Sequence, residues 1–361
     1  MTRTHIEYDL SFATPAFVGD AAQQAQWRTP PLKALIRQWW RVVKAPQVAF
    51  SVERLRNAED ALFGTAASDG EHAPSHRSLL RLRLSTWEQG KLTSWPSGEP
   101  RETHPEVGRP VGTELYLGFG PLAYDKVARS ATLGMTSGLK RTAIDEKSAA
   151  TLRLLCPVQH QADIQALFQL AAWFGTVGSR ARNGWGSLQI AHRDLKPLTR
   201  ENLRPLAISR PLIECLGIDW PHAIGEDQRG PLVWKTRVTG NWRQVMKELA
   251  RIKIAFRTQP ALSLAGVTPG TFAARHLLAY PITHHAVSGP AWGGQGRLAN
   301  QIRFKVLRER EHLVGVIAHL PCALPAEMAR ALPPQSRASL DQTRVWQSVH
   351  TVLDNNATRL V

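Results

Sequence analysis

The chain has 361 residues, of which 43% are hydrophobic, and 45 lysines and arginines against 29 acidic residues give it a net charge of +16. This length predicts two domains with substantial cores, and so positive a charge predicts a polyanionic partner, first of all nucleic acid. No apolar run approaches transmembrane length and residues 1–10 lack the core of a secretory leader, so we expect no membrane partner. The three cysteines, Cys156, Cys215 and Cys322, suit neither a disulfide framework nor a zinc site, which predicts a cytoplasmic protein without metal or cofactor.

The first predicted elements are a strand and a basic helix. Apolar residues alternate over residues 5–13, which predicts a half-buried strand. Pro30 and Pro31 then open a helix that runs to about Lys44, with Thr29 as its cap.

One face of this helix is purely cationic. Lys33, Arg37 and Arg41 recur at intervals of four residues, and Lys44 continues the row. Most such rows are solvated helix surfaces, but four cations without an anion favour a ridge that faces phosphates. The predicted elements that follow are a flexible loop over 65–77, a strand at 80–84, a mobile insertion over 93–112, a strand over 115–119, an exposed loop or hairpin over 128–148, a strand over 151–156 and a buried helix over 163–174.

A glycine-rich loop follows the buried helix, over residues 178–187, and precedes a predicted strand at 188–192. Glycines allow positive φ and close approach of another backbone, and amides in such a turn can surround an anion. Arg180 and Arg182 would add charge, and Trp185 offers a face on which a base could stack. The alternative is a tight turn with solvated arginines.

The second half repeats part of this plan. A strand over 234–238 precedes a helix over 242–256, and a second glycine-rich loop over 289–296 ends at Arg297. Arg243, Lys247 and Arg251 form a basic row on the helix. The second half is completed by three more predicted elements: a half-buried strand over 302–306, a more buried strand over 313–320 and an amphipathic helix over 337–354. Residues 235–310 hold 13 lysines and arginines against two acids, which favours a polyanion-binding surface. We expect Arg243, Lys247, Arg251 and Arg297 to contact RNA there.

The order of the predicted elements indicates an α+β protein. Strands and helices do not alternate strictly, and a strand–helix–strand–strand–helix order fits the ferredoxin-like plan. We therefore predict two ferredoxin-like (RRM-like) domains with loop insertions, the first over residues 1–200 and the second over residues 205–361.

Residues that could carry catalysis are few. His284 and His285 are the only adjacent histidines, and without a nearby carboxylate they fit loop residues better than a metal site or general base. Asp20 follows the first strand, where an aspartate usually stabilises a turn. No paired acidic motif for metal-assisted phosphoryl chemistry is present in the sequence.

Two stretches resemble the RAMP superfamily of CRISPR effector proteins, which have ferredoxin-like domains and an arginine-bearing glycine-rich loop. Residues 178–188 resemble that loop, and residues 28–41 (Arg-Thr-Pro-Pro-Leu-Lys-Ala-Leu-Ile-Arg-Gln-Trp-Trp-Arg) resemble the start of its first helix. Trp39-Trp40 and residues 14–19 resemble one branch, the first-numbered Cmr subunits of type III-B complexes.

The resemblance implies a non-catalytic RNA-binding subunit that contacts the 3′ region of the crRNA, its paired target RNA and other Cmr subunits in antiviral defence. Carried over by position, Lys33, Arg37, Arg41, Arg180 and Arg182 would contact the RNA backbone. The alternatives are a RAMP ribonuclease that cuts target RNA through Asp20, a crRNA-processing ribonuclease that uses His284 or His285, and a general RNA-binding protein without CRISPR partners.

Overall fold

A computed structural model describes residues 2–65, 75–136, 138–338 and 340–361. The chain folds into two compact units, each made of separate stretches of sequence: the first holds Met1–Gly98, Leu117–Ile208 and Lys305–Leu313, and the second holds Glu99–Tyr116, Ser209–Phe304 and Val314–Val361. Each unit therefore draws on residues from both halves of the chain, whereas the sequence had suggested one domain in each half. Most of the loop predicted over 65–77 lies outside the described residues.

The elements of the N-terminal part are β1 (Arg3–Phe12), α1 (Thr29–Lys44), α2 (Val52–Phe63), β2 (Arg81–Leu84), β3 (Arg101–His104), β4 (Arg109–Gly112), α3 (Thr113–Gly118), β5 (Leu122–Asp125), β6 (Ser130–Leu133), β7 (Met135–Thr136), β8 (Leu139–Lys140), β9 (Ala149–Pro157), α4 (Gln161–Phe174), β10 (Leu188–Ala191) and α5 (Arg200–Leu203). Those that follow are β11 (Ser209–Pro211), α6 (Leu212–Cys215), β12 (Ile224–Asp227), β13 (Gly230–Pro231), β14 (Val233–Gly240), α7 (Trp242–Arg257), β15 (Ile302–Glu309), β16 (His312–His319), α8 (Ala326–Arg330), α9 (Pro334–Ala338), α10 (Gln342–Asn356) and β17 (Ala357–Arg359).

The first unit is built on a four-stranded antiparallel sheet in the order β10-β1-β9-β2. The alternation in β1 is the predicted one, and Tyr8 points inward to stack on Phe168 of α4 with ring centroids 4.0 Å apart. Helix α1 packs beside α4, where Trp39 meets Phe174 with ring centroids 5.7 Å apart. Apolar burial along one sheet face therefore fixes the positions of both helices.

A second four-stranded sheet has the order β15-β16-β14-β17, and the sequence places α7 after β14 and α10 before β17. When the strands of each sheet are counted along the chain, both sheets have the same order, fourth, first, third, second: β10-β1-β9-β2 in the first sheet and, read from its other edge, β17-β14-β16-β15 in the second. Helices and mostly antiparallel strands confirm the α+β class. Within the described ranges, no helix is long and apolar enough to span a bilayer.

Several local predictions were wrong because distant residues decide the structure. Residues 115–119, predicted as a strand, fall mostly in α3, whose start is stabilised when Leu115 N donates to Glu99 Oε1 at 2.7 Å. The mobile insertion predicted over 93–112 contains the β3–β4 hairpin. Helix α1 is capped by Arg28 rather than Thr29, without a side-chain hydrogen bond.

The strand β15 also differs from its predicted half-burial. Its first six residues are all buried, including Arg303 and Lys305, which the alternation had placed on a polar face. The Nζ of Lys305 donates to Ala171 O at 3.0 Å and to Ala172 O at 2.5 Å, near the C-terminal end of α4. Carbonyls at a helix C-terminus lack partners within the helix, and the Lys305 amine donates to two of them, which adds to the cap that Gly175 N forms on Ala171 O.

Lys305 gives the stability of the protein a pH dependence of known sign. Burial lowers the pKa of its ammonium well below the ordinary lysine value. The ordinary value applies to the unfolded chain. At a pH between the pKa of Lys305 in the folded protein and this ordinary value, the unfolded chain binds a proton that the folded protein does not. The free energy of unfolding therefore rises with pH across this interval, and this contribution is lost as the pH falls to the folded pKa. The slope reaches about 1.4 kcal/mol per pH unit.

The measurement is the free energy of unfolding of the parent and of Lys305→Met, from about pH 8 to pH 10. We expect the parent to gain stability relative to the variant as pH rises, because only the parent has this titration. A difference that stays constant over the range would contradict the prediction.

Candidate nucleic-acid interface

The glycine-rich loop between α4 and β10 has the backbone that its sequence predicts. Gly178, Gly184 and Gly186 have φ values of +96°, +91° and +61°. All three glycines therefore use the positive φ that glycine allows. Residues with a side chain rarely adopt this conformation, so the glycines determine the path of the loop.

Two buried hydroxyls fasten the loop to the end of β1. Thr14 Oγ1 donates to Gly184 O at 2.8 Å and accepts a hydrogen bond from Ser187 N at 3.0 Å. Ser187 Oγ also donates to Gly184 O at 2.8 Å, and it accepts from Val306 N at 2.8 Å. Thr14 and Ser187 are fully buried. We call this arrangement the hydroxyl node.

The loop also runs very close to neighbouring backbone. A Cβ on Gly178 would lie 2.6 Å from Phe17 O, and one on Gly186 would lie 2.0 Å from Val177 O. Both distances are too short for a carbon atom. The glycines are thus required for contact as well as for conformation, as predicted.

The two arginines of the loop differ in their exposure. Arg180 is exposed, has the left-handed φ of +58°, and donates from Nε to Phe119 O at 2.5 Å. A guanidinium has five N–H donors, so this bond leaves Nη1 and Nη2 of Arg180 available for a ligand. Arg182 is half-buried in the same turn, where Asn183 Nδ2 donates to Leu117 O at 2.8 Å.

Trp185 was predicted as a stacking platform, and the structure corrects this. Its side chain is 0% exposed and packs against Phe17 and Trp95, with ring centroids 5.4 Å from each. The indole stabilises the underside of the loop, so its face cannot stack on a base. Sequence position alone had suggested exposure because Trp185 lies between two glycines.

The basic row on α1 is held by an internal carboxylate. Arg37 Nε contacts Glu59 of α2 at 2.5 Å, and Arg41 makes two hydrogen bonds to the same carboxylate at 2.5 and 2.7 Å. Burial favours protonation of Glu59, but the hydrogen bonds from Arg41 and Arg37 hold its pKa below the ordinary value. Lys33 donates to Phe63 O at 3.1 Å. The row therefore has less free charge than its sequence suggested, and its contact with RNA stays a prediction.

The basic row on α7 follows the same pattern. Arg243 contacts the fully buried Glu114 at 2.5 and 3.0 Å. Arg251 makes two hydrogen bonds to Glu248, at 2.8 and 2.7 Å. Lys247 is exposed between these two arginines. A role for this row in RNA binding also stays a prediction.

The second glycine-rich loop is organised around a buried tryptophan. Trp292 is 0% exposed and donates from Nε1 to Met328 O at 2.9 Å. Arg297 turns back on the loop, and its Nη1 donates to Gly294 O at 2.9 Å and Gly296 O at 2.6 Å. These bonds stabilise the turn and use one nitrogen of the predicted RNA-binding guanidinium.

The candidate catalytic residues occupy turns. Asp20 Oδ1 accepts from Ala22 N at 2.8 Å and Gln24 N at 2.9 Å, which is the turn role expected of it. His284 is exposed with a φ of +62°, and the backbone carbonyl of His285 lies 2.9 Å from His276 Nε2, within hydrogen-bond distance. In the described part of the chain, no group of three or more His, Cys, Asp or Glu residues could hold a metal ion.

Alanine substitutions at two glycines can distinguish the energetic cost of a left-handed backbone from the cost of a steric clash. Gly186 has a φ of +61° and no space for a Cβ, whereas Gly98 has a φ of +71° and open space where a Cβ would stand. We expect Gly98→Ala to lower the free energy of unfolding by about 1 kcal/mol, the cost of a left-handed alanine. Gly186→Ala should lower it by about 3 kcal/mol or more, because overpacking is added.

Chemical denaturation of the parent and both variants provides the measurement. Equal losses in the two variants would mean that the loop can move away from Val177 O at little cost.

Three solved structures are similar to the chain over nearly its whole length. The crystal structure of Cmr1 from Pyrococcus furiosus, in its apo form, has a TM-score of 0.48 and 14% sequence identity, over 97% of each chain. A chain of the type III-B Cmr-beta complex bound to cognate target RNA has a TM-score of 0.45 and 10% identity, over 97% of this chain and 100% of that chain. A chain of the complex with target RNA and AMPPnP, in the presence of ssDNA, has a TM-score of 0.47 and 11% identity, over 97% and 98%.

No family model and no curated protein matches the chain. With identities of 10–14%, the activity of this chain has to be inferred from its own residues. The three structures named above are Cmr1 and two chains of type III-B Cmr complexes.

Proposed function

We propose that the chain is a non-catalytic RNA-binding subunit of a type III-B (Cmr) CRISPR RNA-guided effector complex. In this role it contacts the 3′ region of the crRNA and the target RNA, beside other Cmr subunits, in antiviral defence. The observation that carries the proposal is the glycine-rich loop, which is locked to β1 by the hydroxyl node and keeps the Nη groups of Arg180 on its outer side. A rigid turn with available guanidinium donors suits the phosphates of a nucleic acid backbone.

We further propose that each unit is a ferredoxin-like (RRM-like) domain. Support comes from the first sheet, whose strands counted along the chain have the order fourth, first, third, second, and from the helices α1 and α4 that follow its first and third strands. All the pairings in this sheet are antiparallel. The second sheet also has four strands, with α7 after its first strand and α10 before its last.

The charge of the chain supports RNA as the ligand. A net charge of +16 attracts polyanions over long distances and speeds their association. The row on α1 keeps a surplus of cations after its internal carboxylate is counted, since Arg37 and Arg41 share Glu59. These arginines are held in fixed positions by that carboxylate, which lowers the entropic cost of ordering them around RNA.

A cytoplasmic location is part of the proposal. Cys156, Cys215 and Cys322 are all free and buried, which suits a reducing compartment.

The non-catalytic role is proposed against two nuclease alternatives. Asp20 Oδ1 already accepts two backbone hydrogen bonds, which gives the carboxylate a structural task in its turn. His284 and His285 lie on a loop of the second unit, and no carboxylate lies near them in sequence to orient an imidazole as a general base.

The first test concerns the arginines of the loop. Changing Arg180 and Arg182 together to alanine should weaken binding of single-stranded RNA, because charge-assisted hydrogen bonds contribute about 1.5–3 kcal/mol each before solvent and salt weaken them. The slope of log affinity against log salt should become shallower by about 1.4, or about 0.7 for each lost phosphate contact. Titration with labelled RNA at several salt concentrations measures both quantities.

The matched control is the double variant Arg193→Ala and Arg200→Ala, which removes the same charge from exposed residues outside the loop. It should retain more affinity than the loop variant. Thermal unfolding of both variants should stay close to the parent. Equal RNA binding by the two double variants would contradict the proposal and support the alternative, in which the loop is a tight turn with solvated arginines.

The second test concerns Asp20. We expect Asp20→Ala and Asp20→Asn to leave every target-RNA cut of the assembled complex unchanged, because the proposed subunit has no catalytic carboxylate. Asparagine keeps the side-chain acceptor of the turn, so the pair separates loss of the charge from loss of the turn. Loss of one cut position in both variants, measured on a labelled target RNA, would favour the nuclease alternative.

A further inference from the structure

The second unit holds a group of polar residues, most of them buried or half-buried, that the proposed function does not use. His104 and Glu106 come from the β3–β4 hairpin, Tyr116 comes from α3, Arg257 ends α7, and Arg275 lies in the short turn Ala274–Leu277. We call these five residues the cationic cluster. The rings of His104 and Tyr116 meet edge to face, with centroids 5.8 Å apart.

Three members of the cationic cluster have buried polar atoms that find no hydrogen-bond partner among the residues the structure describes. They are Nδ1 of His104, the hydroxyl of Tyr116 and Nε of Arg275. His104 is only 6% exposed and Arg275 only 5%. A buried polar atom left unpaired costs about 1–3 kcal/mol, so three in one place require a physical explanation.

The charge of the cationic cluster is also unbalanced. Arg275 Nη1 contacts Glu106 Oε1 at 2.5 Å, which pairs one guanidinium with the single carboxylate. Arg257 is a second guanidinium near the same groups, and Lys253 Nζ lies 5.6 Å from the centre of the Tyr116 ring. Burial lowers the pKa of Arg257, and the charge of Arg275 also lowers it. Uncompensated buried charge is unfavourable, and an external anion would relieve it.

We propose that the cationic cluster binds one phosphate group of the RNA. This inference rests on the proposed function for its ligand. A phosphate has several oxygens that accept hydrogen bonds, and Nε of Arg275 and the hydroxyl of Tyr116 are donors without partners in the described ranges of the chain. Arginine forks suit phosphate geometry, and the imidazole of His104 can donate through Nδ1 in the matching tautomer. The site would hold RNA in the second unit, apart in sequence from the loop at 178–187.

The first experiment measures thermal unfolding of the full chain in inorganic phosphate, against chloride at the same ionic strength. Phosphate should raise the melting temperature of the parent beyond the effect of chloride, because binding to the folded state stabilises it. Arg257→Gln should weaken the apparent phosphate affinity by about tenfold or more, which corresponds to the loss of about 1.4 kcal/mol. Arg330→Gln, which removes an exposed charge on α8, is the matched control and should behave as the parent.

A second variant distinguishes loss of phosphate binding from a general loss of stability. Tyr116→Phe removes a hydroxyl that has no partner, so it should not destabilise the protein in chloride. In phosphate it should lose part of the stabilisation seen for the parent. Equal phosphate stabilisation of the parent, Arg257→Gln and Tyr116→Phe would overturn the site, as would an equal response of the parent to phosphate and chloride.

RNA titration tests the source of the phosphate. Arg257→Gln should bind single-stranded RNA more weakly than Arg330→Gln, with a salt slope shallower by about 0.7 than that of the parent. Equal RNA binding by these two variants would overturn RNA as the ligand of the cationic cluster while leaving the proposed function intact. If the parent fails to bind RNA although Arg257→Gln still abolishes the phosphate effect, the proposed function is wrong and the phosphate site remains.

Discussion

The first unit depends on a small set of hydrogen bonds around two hydroxyls. Thr14 Oγ1 and Ser187 Oγ each donate one hydrogen bond and accept one, and both donate to Gly184 O. Each hydroxyl therefore uses its one donor and one of its two acceptor sites within the protein. The end of β1, the glycine-rich loop and the start of β10 are thereby fixed together, and the loop arginines lie outside these bonds.

The second constraint is the repulsion between cations that lie close together, as in the rows on α1 and α7. Glu59 beneath the row on α1 is 4% exposed, and Glu114 beside Arg243 is 0% exposed. Each carboxylate orients the arginines that it contacts, and Glu59 also offsets the repulsion between Arg37 and Arg41. The net charge of +16 therefore contains structural cations as well as cations that a ligand could contact.

Local sequence patterns were sufficient for many of the elements and for the glycine conformations. The alternation in β1, the prolines in the first turn of α1 and the glycines of the loop each act within a few residues, so a single stretch of sequence reveals them. The burial of Trp185 depends on Phe17 and Trp95, which are far away in sequence. Glu59 and Glu114 were missed for the same reason, because each belongs to a different helix from the arginines it holds. The sequence signal that could have indicated both residues is an acidic residue next to apolar residues of its own helix.

Lys305 has a consequence for the order in which the protein can be completed during synthesis. Its Nζ binds the last turn of α4, whose carbonyls at Ala171 and Ala172 precede it by 134 and 133 residues. A ribosome that has translated residues 1–208 has produced nearly all of the first unit but not the segment Lys305–Leu313. Until that segment emerges, the nascent α4 lacks the two hydrogen bonds from Lys305 and Ser187 lacks the backbone N–H of Val306. The N-terminal half therefore finishes folding only when most of the C-terminal half has been made.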